Sequence, residues 1–461
     1  MSLDTIPYEP SAFDTFQADP ELPTYAQIRP PRRQQTIPSD QPTSHTCSLS
    51  NKSGNTWLTM KCTSRAARPQ QNPRVLEGDN LEGSVEVNLP NWKTIKCVRV
   101  SVLGELVTSA QQRDQFLQLS QELWSSNMEA VSPTVDSMRF NKGSLRGVWI
   151  WPFTFTLPRT VETKRDGHNR DSYRLPGSFI SKQSNYTVLY KLVTTIVAGK
   201  FIPDYTLETS ITYIPFIKPE PPSSIRQLAY YNNCPIVGPD GDPEGWHTSS
   251  PVTITGSLFG ERSVSIECQL WLAKPLCYTR GTVIPLFLTL RCSDSQALDI
   301  LSSSDAPVVR LRRSLSLGIA NSPIQAYGAG HKGMLRTAGS RGMYETSGDT
   351  TSYMQLANWW RSPYDSEGLE RNMCALQGEI HLSPALSPPA QLGKYQLLYD
   401  VAIYSPDAVG FVNSSPTKKP LQVTSVEIAT LYADGPRPMK YSPPKYDDLT
   451  RAAEDIRVEQ S

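Results

Sequence analysis

The chain has 461 residues, which at roughly 100 to 200 residues per domain is enough for more than one hydrophobic core. Its 39 prolines and 27 glycines are close to average usage, so the chain as a whole is neither collagen-like nor disordered. The 45 basic and 44 acidic residues nearly cancel, which argues against a nucleic-acid-binding protein because no long-range positive field attracts a polyanion.

Residues 1–54 are rich in proline, serine, threonine and glutamine and show no sustained hydrophobic period. Such a segment buries too little apolar surface to offset the entropy of ordering it, so we predict a disordered tail. From residue 55 onward, short runs alternate apolar and polar residues, as half-buried β-strands do. These runs predict a first β-sandwich domain over residues 55–218. The clearest of them are Gly83–Leu89, Ile95–Leu103, Trp151–Leu157, Tyr186–Ala198 and Leu207–Ile214.

One segment of this domain has a helical pattern instead. Within Ala110–Met128, the apolar residues Phe116, Leu119 and Leu123 are spaced i, i+3 and i+7. This spacing predicts an amphipathic helix that packs on the outside of the sheet.

A proline-rich stretch over residues 219–250 predicts an extended linker between two domains. Short strand-like runs then resume and predict a second β-sandwich over residues 251–433. Residues 318–371 interrupt these runs with Gly, Ser, Thr and Arg and predict a disordered insertion, apart from an apolar pair at Trp359 and Trp360. The predicted strands are Val252–Phe259, Ser263–Leu272, Thr282–Cys292, Val308–Leu317, Ala375–Leu382, Tyr395–Tyr404 and Leu421–Tyr432.

The cysteines and histidines form no catalytic or metal-binding pattern. The eight cysteines lie far apart without a C-x-x-C pair, so we expect reduced and mostly buried thiols. Neither H-E-x-x-H nor G-x-S-x-G occurs, and the G-x-G-x-x-G at Gly328–Gly333 lacks the βαβ context of a phosphate loop. We therefore expect no catalytic residues, no metal and no cofactor, in a protein that is not an enzyme.

The N-terminus has neither the basic nor the apolar region of a secretory signal, and no apolar run approaches the roughly 18 to 20 residues of a membrane span. These observations predict a cytoplasmic protein without a transmembrane segment, for which peripheral membrane association remains open.

Arg310–Arg313 forms a basic cluster followed by Ser314 and Ser316. Two interpretations stay open. The cluster is an exposed edge strand protected by arginines, or the two serines are regulatory phosphorylation sites whose phosphates pair with the arginines or recruit a phosphoserine-binding protein.

The best-defined motif lies in a second predicted tail over residues 434–461. Pro443 and Pro444 favour the polyproline II conformation, in which Pro443 and Tyr446 project from one side. This P-P-x-Y tetrad is the peptide that WW domains bind, and Leu449 follows one helical turn later. A degenerate relative, formed by Leu22, Pro23 and Tyr25, is a secondary candidate in the first tail.

The first predicted domain resembles the N-terminal domain of arrestins. The shared features are a glycine-bounded strand, a strand that ends in Leu-Gly-Glu, an F-x-F-x-L-P strand, and an L-P-x-S-F segment that leads to Y-x-L. They lie at Leu76–Pro90, Ile95–Glu105, Trp151–Pro158, Leu175–Phe179 and Tyr190–Leu192. The second domain is similar to an arrestin C-terminal domain more loosely, through Val264–Leu290 and Leu421–Tyr432.

Both tails and the P-P-x-Y tetrad make the fungal α-arrestin (arrestin-related trafficking adaptor) family the best match, over roughly residues 55 to 433. Three features depart from the family. Tyr278–Gly281 replaces the usual Pro-Gly-Glu turn, the insertion over residues 318–371 is unusually long, and the phosphate-sensing polar core of visual arrestins is not identifiable.

The resemblance implies an all-β chain of two tandem antiparallel immunoglobulin-like β-sandwich domains with disordered tails. It also implies a non-catalytic adaptor that links cytoplasmic segments of a membrane transporter or receptor to a WW-domain HECT-type ubiquitin ligase, for ubiquitination and endocytosis at the plasma membrane or endosomes. Two alternatives remain: an arrestin-fold signalling scaffold, for example in pH sensing, and an enzyme or carbohydrate-binding sandwich, for which the sequence offers no convergent polar pocket.

Overall fold

A computed structural model describes residues 42–66, 68–108, 112–127, 144–166, 169–180, 186–199, 202–317, 350–362, 372–393, 395–415 and 419–438. These residues all belong to one compact unit that begins at Pro42. Both candidate WW-binding motifs, Leu22, Pro23 and Tyr25 in one tail and Pro443, Pro444, Tyr446 and Leu449 in the other, lie outside the described residues.

The structure is built mainly of β-strands, which form two lobes. The strands of the first lobe are β1 (Thr43–Ser50), β2 (Thr56–Ser64), β3 (Arg74–Leu76), β4 (Asn80–Val107), β5 (Arg113–Ser125), β6 (Ser144–Thr156), β7 (Thr160–Asp166), β8 (Asn169–Arg174), β9 (Phe179–Ile180), β10 (Thr187–Ala198) and β11 (Tyr205–Ile214). Nine of them form one sheet in the order β1-β2-β4-β10-β11-β3, with β5 and β6 paired to β4 and β9 paired to β10, while β7 and β8 form a separate hairpin.

The 28-residue strand β4 makes this sheet curl into a sandwich. Its first half pairs with β2 and β6, and its second half pairs with β5 and β10. The register against β6 shifts between Leu89 and Lys93, where the chain bends from one layer into the other. Val85, Val87 and Leu89 on β4 are fully buried, as their alternation predicts, and they form part of the core that both layers enclose.

The predicted helix over Ala110–Met128 is wrong, because this segment contains β5, which pairs with the second half of β4. The physical reason is two shifts of register, between Val98 and Arg99 and between Gly104 and Glu105. Each irregularity breaks the strict alternation of the paired strands, so the apolar residues of β5 fall at spacings that imitate a helix. Packing against β4, which buries Leu117 and Trp124, decides the conformation.

The second lobe follows a connecting segment that contains α1 (Ser224–Asn232), and it begins with a 3₁₀ turn at Pro243–Gly245. Its further elements are β12 (Trp246–Thr248), β13 (Val252–Leu258), β14 (Arg262–Ala273), β15 (Cys277–Thr279), β16 (Val283–Arg291), α2 (Ser295–Leu301), β17 (Val309–Leu317), β18 (Thr350–Leu356), β19 (Asn358–Arg361), β20 (Met373–His381), β21 (Ala390–Leu392), β22 (Tyr395–Ile403), β23 (Phe411–Asn413) and β24 (Gln422–Ala429). A seven-stranded sheet, β19-β20-β16-β14-β13-β23 with β12, and a six-stranded sheet, β15-β24-β22-β17-β18 with β21, provide its apolar core.

Among the strands that the structure describes, most pairs are antiparallel and two are parallel. β3 pairs with β11 in the first lobe, and β15 pairs with β24 in the second. In each pair a three-residue strand lies beside a longer strand that is distant in sequence. The alternation of apolar residues carries no information on strand direction, so only the fold could reveal these pairs.

Three segments are more ordered than their composition predicts. The predicted tail over residues 1–54 ends earlier, because β1 at 43–50 pairs with β2. The predicted linker over residues 219–250 contains α1, the 3₁₀ turn and β12. In the predicted disordered insertion over residues 318–371, β18 and β19 pair with β17 and β20, and Trp359 is buried. In each case partners distant in sequence supply the hydrogen bonds and apolar contacts that the local composition does not.

All eight cysteines are free thiols, and five of them are buried, which agrees with the expectation for the thiols.

Among the helices that the structure describes, none has the length and apolarity that a membrane span requires.

Candidate functional site

The candidate site is the junction, which we define as the connecting residues 215–242 together with the C-terminal segment 430–438. It is the place where the two lobes are joined and from which the chain continues toward the P-P-x-Y tetrad.

Glu77 of the first lobe holds the start of the connecting segment. One of its carboxylate oxygens, Oε2, accepts hydrogen bonds from the backbone N–H of Phe216 at 2.9 Å and from Arg174 Nη2 at 2.7 Å. Its other oxygen lies 3.7 Å from Arg159 Nε. Burial by itself raises the pKa of Glu77, but these hydrogen bonds and the charges of both arginines lower the pKa below its usual value. Glu77 is therefore held as a carboxylate against the chain that leaves the first lobe.

Replacing Glu77 with glutamine should lower the free energy of unfolding by about 1 to 3 kcal/mol at neutral pH, since it removes the charge from hydrogen bonds that Arg174 and Phe216 make. The pKa of Glu77 is lower in the folded state, so its contribution is present above the ordinary value of 4.5 and is lost as the pH falls through the folded-state pKa. Urea unfolding at several pH values checks this.

The matched control for this prediction is Glu86→Gln, whose partner Lys61 forms an exposed ion pair at 3.3 Å. We expect little effect from it. An equal loss in both variants, or a Glu77→Gln effect that does not shrink as the pH falls below 4.5 and Glu77 becomes protonated in the folded state, would contradict the assignment.

Thr430 joins the connecting segment to the end of the second lobe. Its hydroxyl donates to the carbonyl of Pro215 at 2.6 Å and accepts from the backbone N–H of Ile217 at 2.9 Å. The N–H groups of Thr430 and Leu431 both donate to the Ile217 carbonyl, at 2.9 and 3.0 Å. The C-terminal segment is thus bonded through its backbone to the chain that connects the lobes.

Contacts of the C-terminal segment continue to its end. Lys218 Nζ lies 2.8 Å from both carboxylate oxygens of Asp434, and Arg437 stacks 3.8 Å from the ring centroid of Tyr432. Both partners of the ion pair are more than 40% exposed, so it orients the segment more than it stabilises the fold. These contacts hold the chain against the junction as far as the last described residues before the tail.

The buried Arg226 of α1 attaches the connecting segment to the second lobe. Its Nη1 and Nη2 donate to the carbonyls of Lys274 and Gly245, each at 2.8 Å, and Nη2 lies 3.8 Å from Asp242 Oδ2. The guanidinium also stacks over Trp246, 4.7 Å from the ring centroid. Burial lowers the pKa of Arg226, and Tyr230 and Asp242 offset part of this effect. The Arg226 side chain is 1% exposed, and its charge has three polar partners at Lys274, Gly245 and Asp242. Arg226 therefore fixes the connecting segment to the second lobe.

Local sequence explains why α1 forms in a proline-rich stretch. The hydroxyl of Ser223 caps the helix by accepting from the N–H of Arg226, and Asn233 ends it in the left-handed conformation with φ of 55°. This pair of capping residues is a signal that sequence analysis missed. Nothing local indicates Glu77 or Thr430, because the backbone groups that they bind, at Phe216 and Ile217, are 139 and 213 residues away.

A small cavity of about 70 Å³ lies in the junction between α1, the Lys274–Val283 region and the C-terminal segment. Its lining is largely apolar and rich in proline and tyrosine, including Pro222, Tyr230, Tyr278 and Tyr432. Burial and nearby groups raise the pKa of Tyr278 well above its usual value, so its hydroxyl stays protonated and donates to the Ala273 carbonyl at 2.5 Å. Among the described residues, no group of three or more His, Cys, Asp or Glu side chains could hold a metal ion.

Ser314 and Ser316 lie on β17, and both are half-buried. The interpretation of this segment as an exposed edge strand is wrong, because β17 pairs with β18 on one side and β22 on the other. The arginines have other roles: Arg312 forms an ion pair with Asp400, and Arg313 stacks 5.7 Å from the ring centroid of Phe179 in the first lobe. Phosphorylation of either serine stays a prediction. Because β17 is hydrogen-bonded on both sides, we expect that the strand must open before either hydroxyl is modified.

The candidate WW-binding residues Pro443, Pro444, Tyr446 and Leu449 lie outside the described residues, as do Leu22, Pro23 and Tyr25. The tetrad begins five positions after Pro438, the last described residue. No model of a known protein family matches the sequence, and no curated protein matches it.

Proposed function

We propose that this protein is a non-catalytic adaptor of the α-arrestin type, with two tandem arrestin-like β-sandwich domains. Its body would contact cytoplasmic segments of a membrane transporter or receptor, and its tail would recruit a WW-domain HECT-type ubiquitin ligase. The cargo would then be ubiquitinated and endocytosed, with the protein moving from the cytoplasm to the plasma membrane or endosomes.

The observation that carries this proposal is the position of the P-P-x-Y tetrad relative to the junction. The chain is bonded to the junction through Thr430, Asp434 and Arg437, and Pro443 follows Pro438 by five residues. At roughly 3.3 to 3.6 Å per residue, even a fully extended chain places Pro443 within about 18 Å of Pro438. A WW domain that binds the tetrad would therefore be held close to the body, which suits the transfer of ubiquitin to a bound cargo.

The organisation of the junction supports an adaptor in a second way. Three polar side chains, those of Glu77, Thr430 and Arg226, form hydrogen bonds that fasten one part of the chain to another. These bonds give all three side chains a structural role. Two lobes that are joined by hydrogen bonds, with the tetrad only a few residues beyond them, fit a protein that positions two partners relative to each other.

A reconstituted ubiquitination assay tests the proposal. The full-length chain, a WW-domain HECT ligase and its upstream enzymes are mixed, and ubiquitin attached to the chain is followed by gel shift. We expect efficient modification of the natural sequence and of Tyr441→Ala, a variant that removes a tyrosine from the same tail outside the tetrad. Tyr446→Ala should be modified far more slowly. Equal modification of all three proteins would refute ligase recruitment by the tetrad and favour the signalling-scaffold alternative.

A further inference from the structure

The side of α1 that faces solvent is apolar. Ile225, Leu228 and Tyr231 are spaced i, i+3 and i+6, so they lie along one side of the helix, which we call the outer face. These residues are 43%, 60% and 78% exposed. Of the nine residues of α1, only Arg226 is charged, and it is buried. Single exposed apolar residues are common on proteins, but an uncharged stripe of three along a helix is typical of a surface that contacts a partner.

The opposite, inner face of α1 holds the helix in place. Ala229 and Tyr230 are buried there together with Arg226. The two carbonyls that Arg226 binds and the capping hydroxyl of Ser223 fix the position and the start of the helix. The contacts that attach α1 to the second lobe thus come from its inner face, and the outer face is presented on a fixed element.

The C-terminal segment passes directly beside α1 before it enters the tail. Gly435 packs against Gln227, whose side-chain oxygen would lie 3.2 Å from a Cβ atom at that glycine. Residues 436–438 line the same cavity as Tyr230. The tetrad begins five positions after Pro438 and so lies within about 18 Å of it, while α1 itself is only about 14 Å long. A domain that binds the tetrad is therefore held beside α1.

We propose that the outer face of α1 is a second contact surface for the WW domain that binds the P-P-x-Y tetrad. This inference rests on the proposed recruitment of a WW-domain ligase. Because the tether is short, binding of the tetrad raises the local concentration of the WW domain at α1 to the order of millimolar. At that concentration, an apolar contact that is too weak to form alone adds to the affinity. The same contact limits the orientations of the ligase relative to the body.

The tail itself is the other segment within reach of the outer face. Leu449, Ala452 and Ile456 would lie on one side of a helix. A helix of about a dozen residues is not stable alone, so docking of the tail would have to offset the cost of folding it. The acidic pair Asp447 and Asp448 would also find no cation on the uncharged outer face. A WW domain arrives already folded, which favours it as the occupant.

Calorimetric titration of the full-length chain with an isolated WW domain of a HECT-type ligase tests the inference. Leu228→Gln and Tyr231→Gln each replace an apolar side chain of the outer face with a good helix former. We expect each variant to bind about three- to fivefold more weakly, because each loses part of the apolar area buried in the contact. The tetrad is unchanged in both, so the remaining affinity should still depend on Tyr446.

Two controls separate this contact from effects on folding. Val409→Gln removes a 95% exposed apolar side chain from the loop before β23, outside the junction, and should bind as the natural chain does. Thermal unfolding of Leu228→Gln should match that of the natural protein, because this side chain is largely exposed. A loss of affinity at unchanged stability assigns the effect to the outer face.

A longer tether gives a readout that a structural defect in α1 would not reproduce. Inserting about 30 Gly and Ser residues after Pro438 lengthens the tether from five residues to about 35, which lowers the effective concentration about twentyfold. In this chain the effect of Leu228→Gln should shrink to less than about twofold. A loss that stays the same with the longer tether would contradict a tethered contact.

Three further results would overturn the inference, each for a different reason. If Leu228→Gln and Tyr231→Gln bind as tightly as the natural chain while Tyr446→Ala does not, the tetrad recruits the WW domain without α1. If the two α1 variants bind more tightly, the outer face holds the tail, and its release exposes the tetrad. If the natural chain and Tyr446→Ala bind equally, the proposed ligase recruitment fails together with the inference.

Discussion

Replacing Tyr446 with alanine should weaken the binding of the full-length chain to a WW domain by about thirtyfold or more. The proline pair at 443 and 444 favours the bound backbone conformation in advance, and the tyrosine ring is the aromatic anchor of the tetrad. Removing such an anchor costs of order 2 kcal/mol or more. Isothermal titration with an isolated WW domain measures the change directly.

The matched control for this prediction is Tyr441→Ala, which lies two positions before Pro443 and should change the affinity by less than about threefold. Thermal unfolding of Tyr446→Ala should match that of the natural protein, because the tail follows the last described strand. If both tyrosine variants bind as the natural chain does, the tetrad is not the WW ligand. Residual binding by Tyr446→Ala that disappears on further replacement of Tyr25 would identify the secondary motif as a contributor.

Replacing Arg226 with alanine should lower the free energy of unfolding by about 3 to 5 kcal/mol, the largest stability effect expected in this protein. The side chain is 1% exposed, and its loss leaves the buried Asp242 without its ion-pair partner. The carbonyls of Lys274 and Gly245 also lose their charged donors, and Trp246 loses its stacked guanidinium. Urea unfolding with a constant m-value checks the prediction.

Two further variants sharpen this test. Arg226→Lys keeps the charge but cannot reach both carbonyls with a planar fork, so an intermediate loss is expected. Arg262→Ala removes an arginine that is 51% exposed and paired with Asp294, so its effect should stay below about 1 kcal/mol. A similar cost for Arg226→Ala and Arg262→Ala would show that α1 is not held to the second lobe by its buried arginine.

Glu77 and Arg226 together hold the connecting segment to the two lobes. Glu77 binds the chain where it leaves the first lobe, and Arg226 binds the backbone where the second lobe begins. Both residues lie outside the P-P-x-Y tetrad, so neither variant should change the affinity of the tail for a WW domain. Under the proposed adaptor function, a folded but weakened junction should instead reduce the rate at which ubiquitin reaches a bound cargo.

Where the local pattern was regular, sequence analysis predicted the β-strands correctly. Val85, Val87 and Leu89 alternate with polar residues and are buried on one face of β4, and Phe153 and Phe155 do the same on β6. A two-residue period is a local property that follows directly from the pleat of a strand. It fails where register shifts break the period, which is why β5 was predicted to be a helix.

Composition was a poorer guide than periodicity. The stretches at 219–250 and 318–371 are rich in residues that favour turns and linkers, yet they contain α1, β12, β18 and β19. Their order depends on buried side chains such as Arg226 and Trp359, which find partners elsewhere in the chain. Composition measures the average tendency of a segment to bury surface, whereas one buried group with its partners can hold a segment in place.

The candidate sites also differ in whether local sequence is enough to find them. The P-P-x-Y tetrad is visible in the sequence because WW recognition requires only a few consecutive residues in a conformation that proline itself favours. The class of fold was equally accessible, because alternation of apolar residues is written along each strand. The junction was not, because Thr430 meets Ile217 across 213 residues. Contacts between distant residues depend on how the sheets curl and pair, and this information exists only in the folded chain.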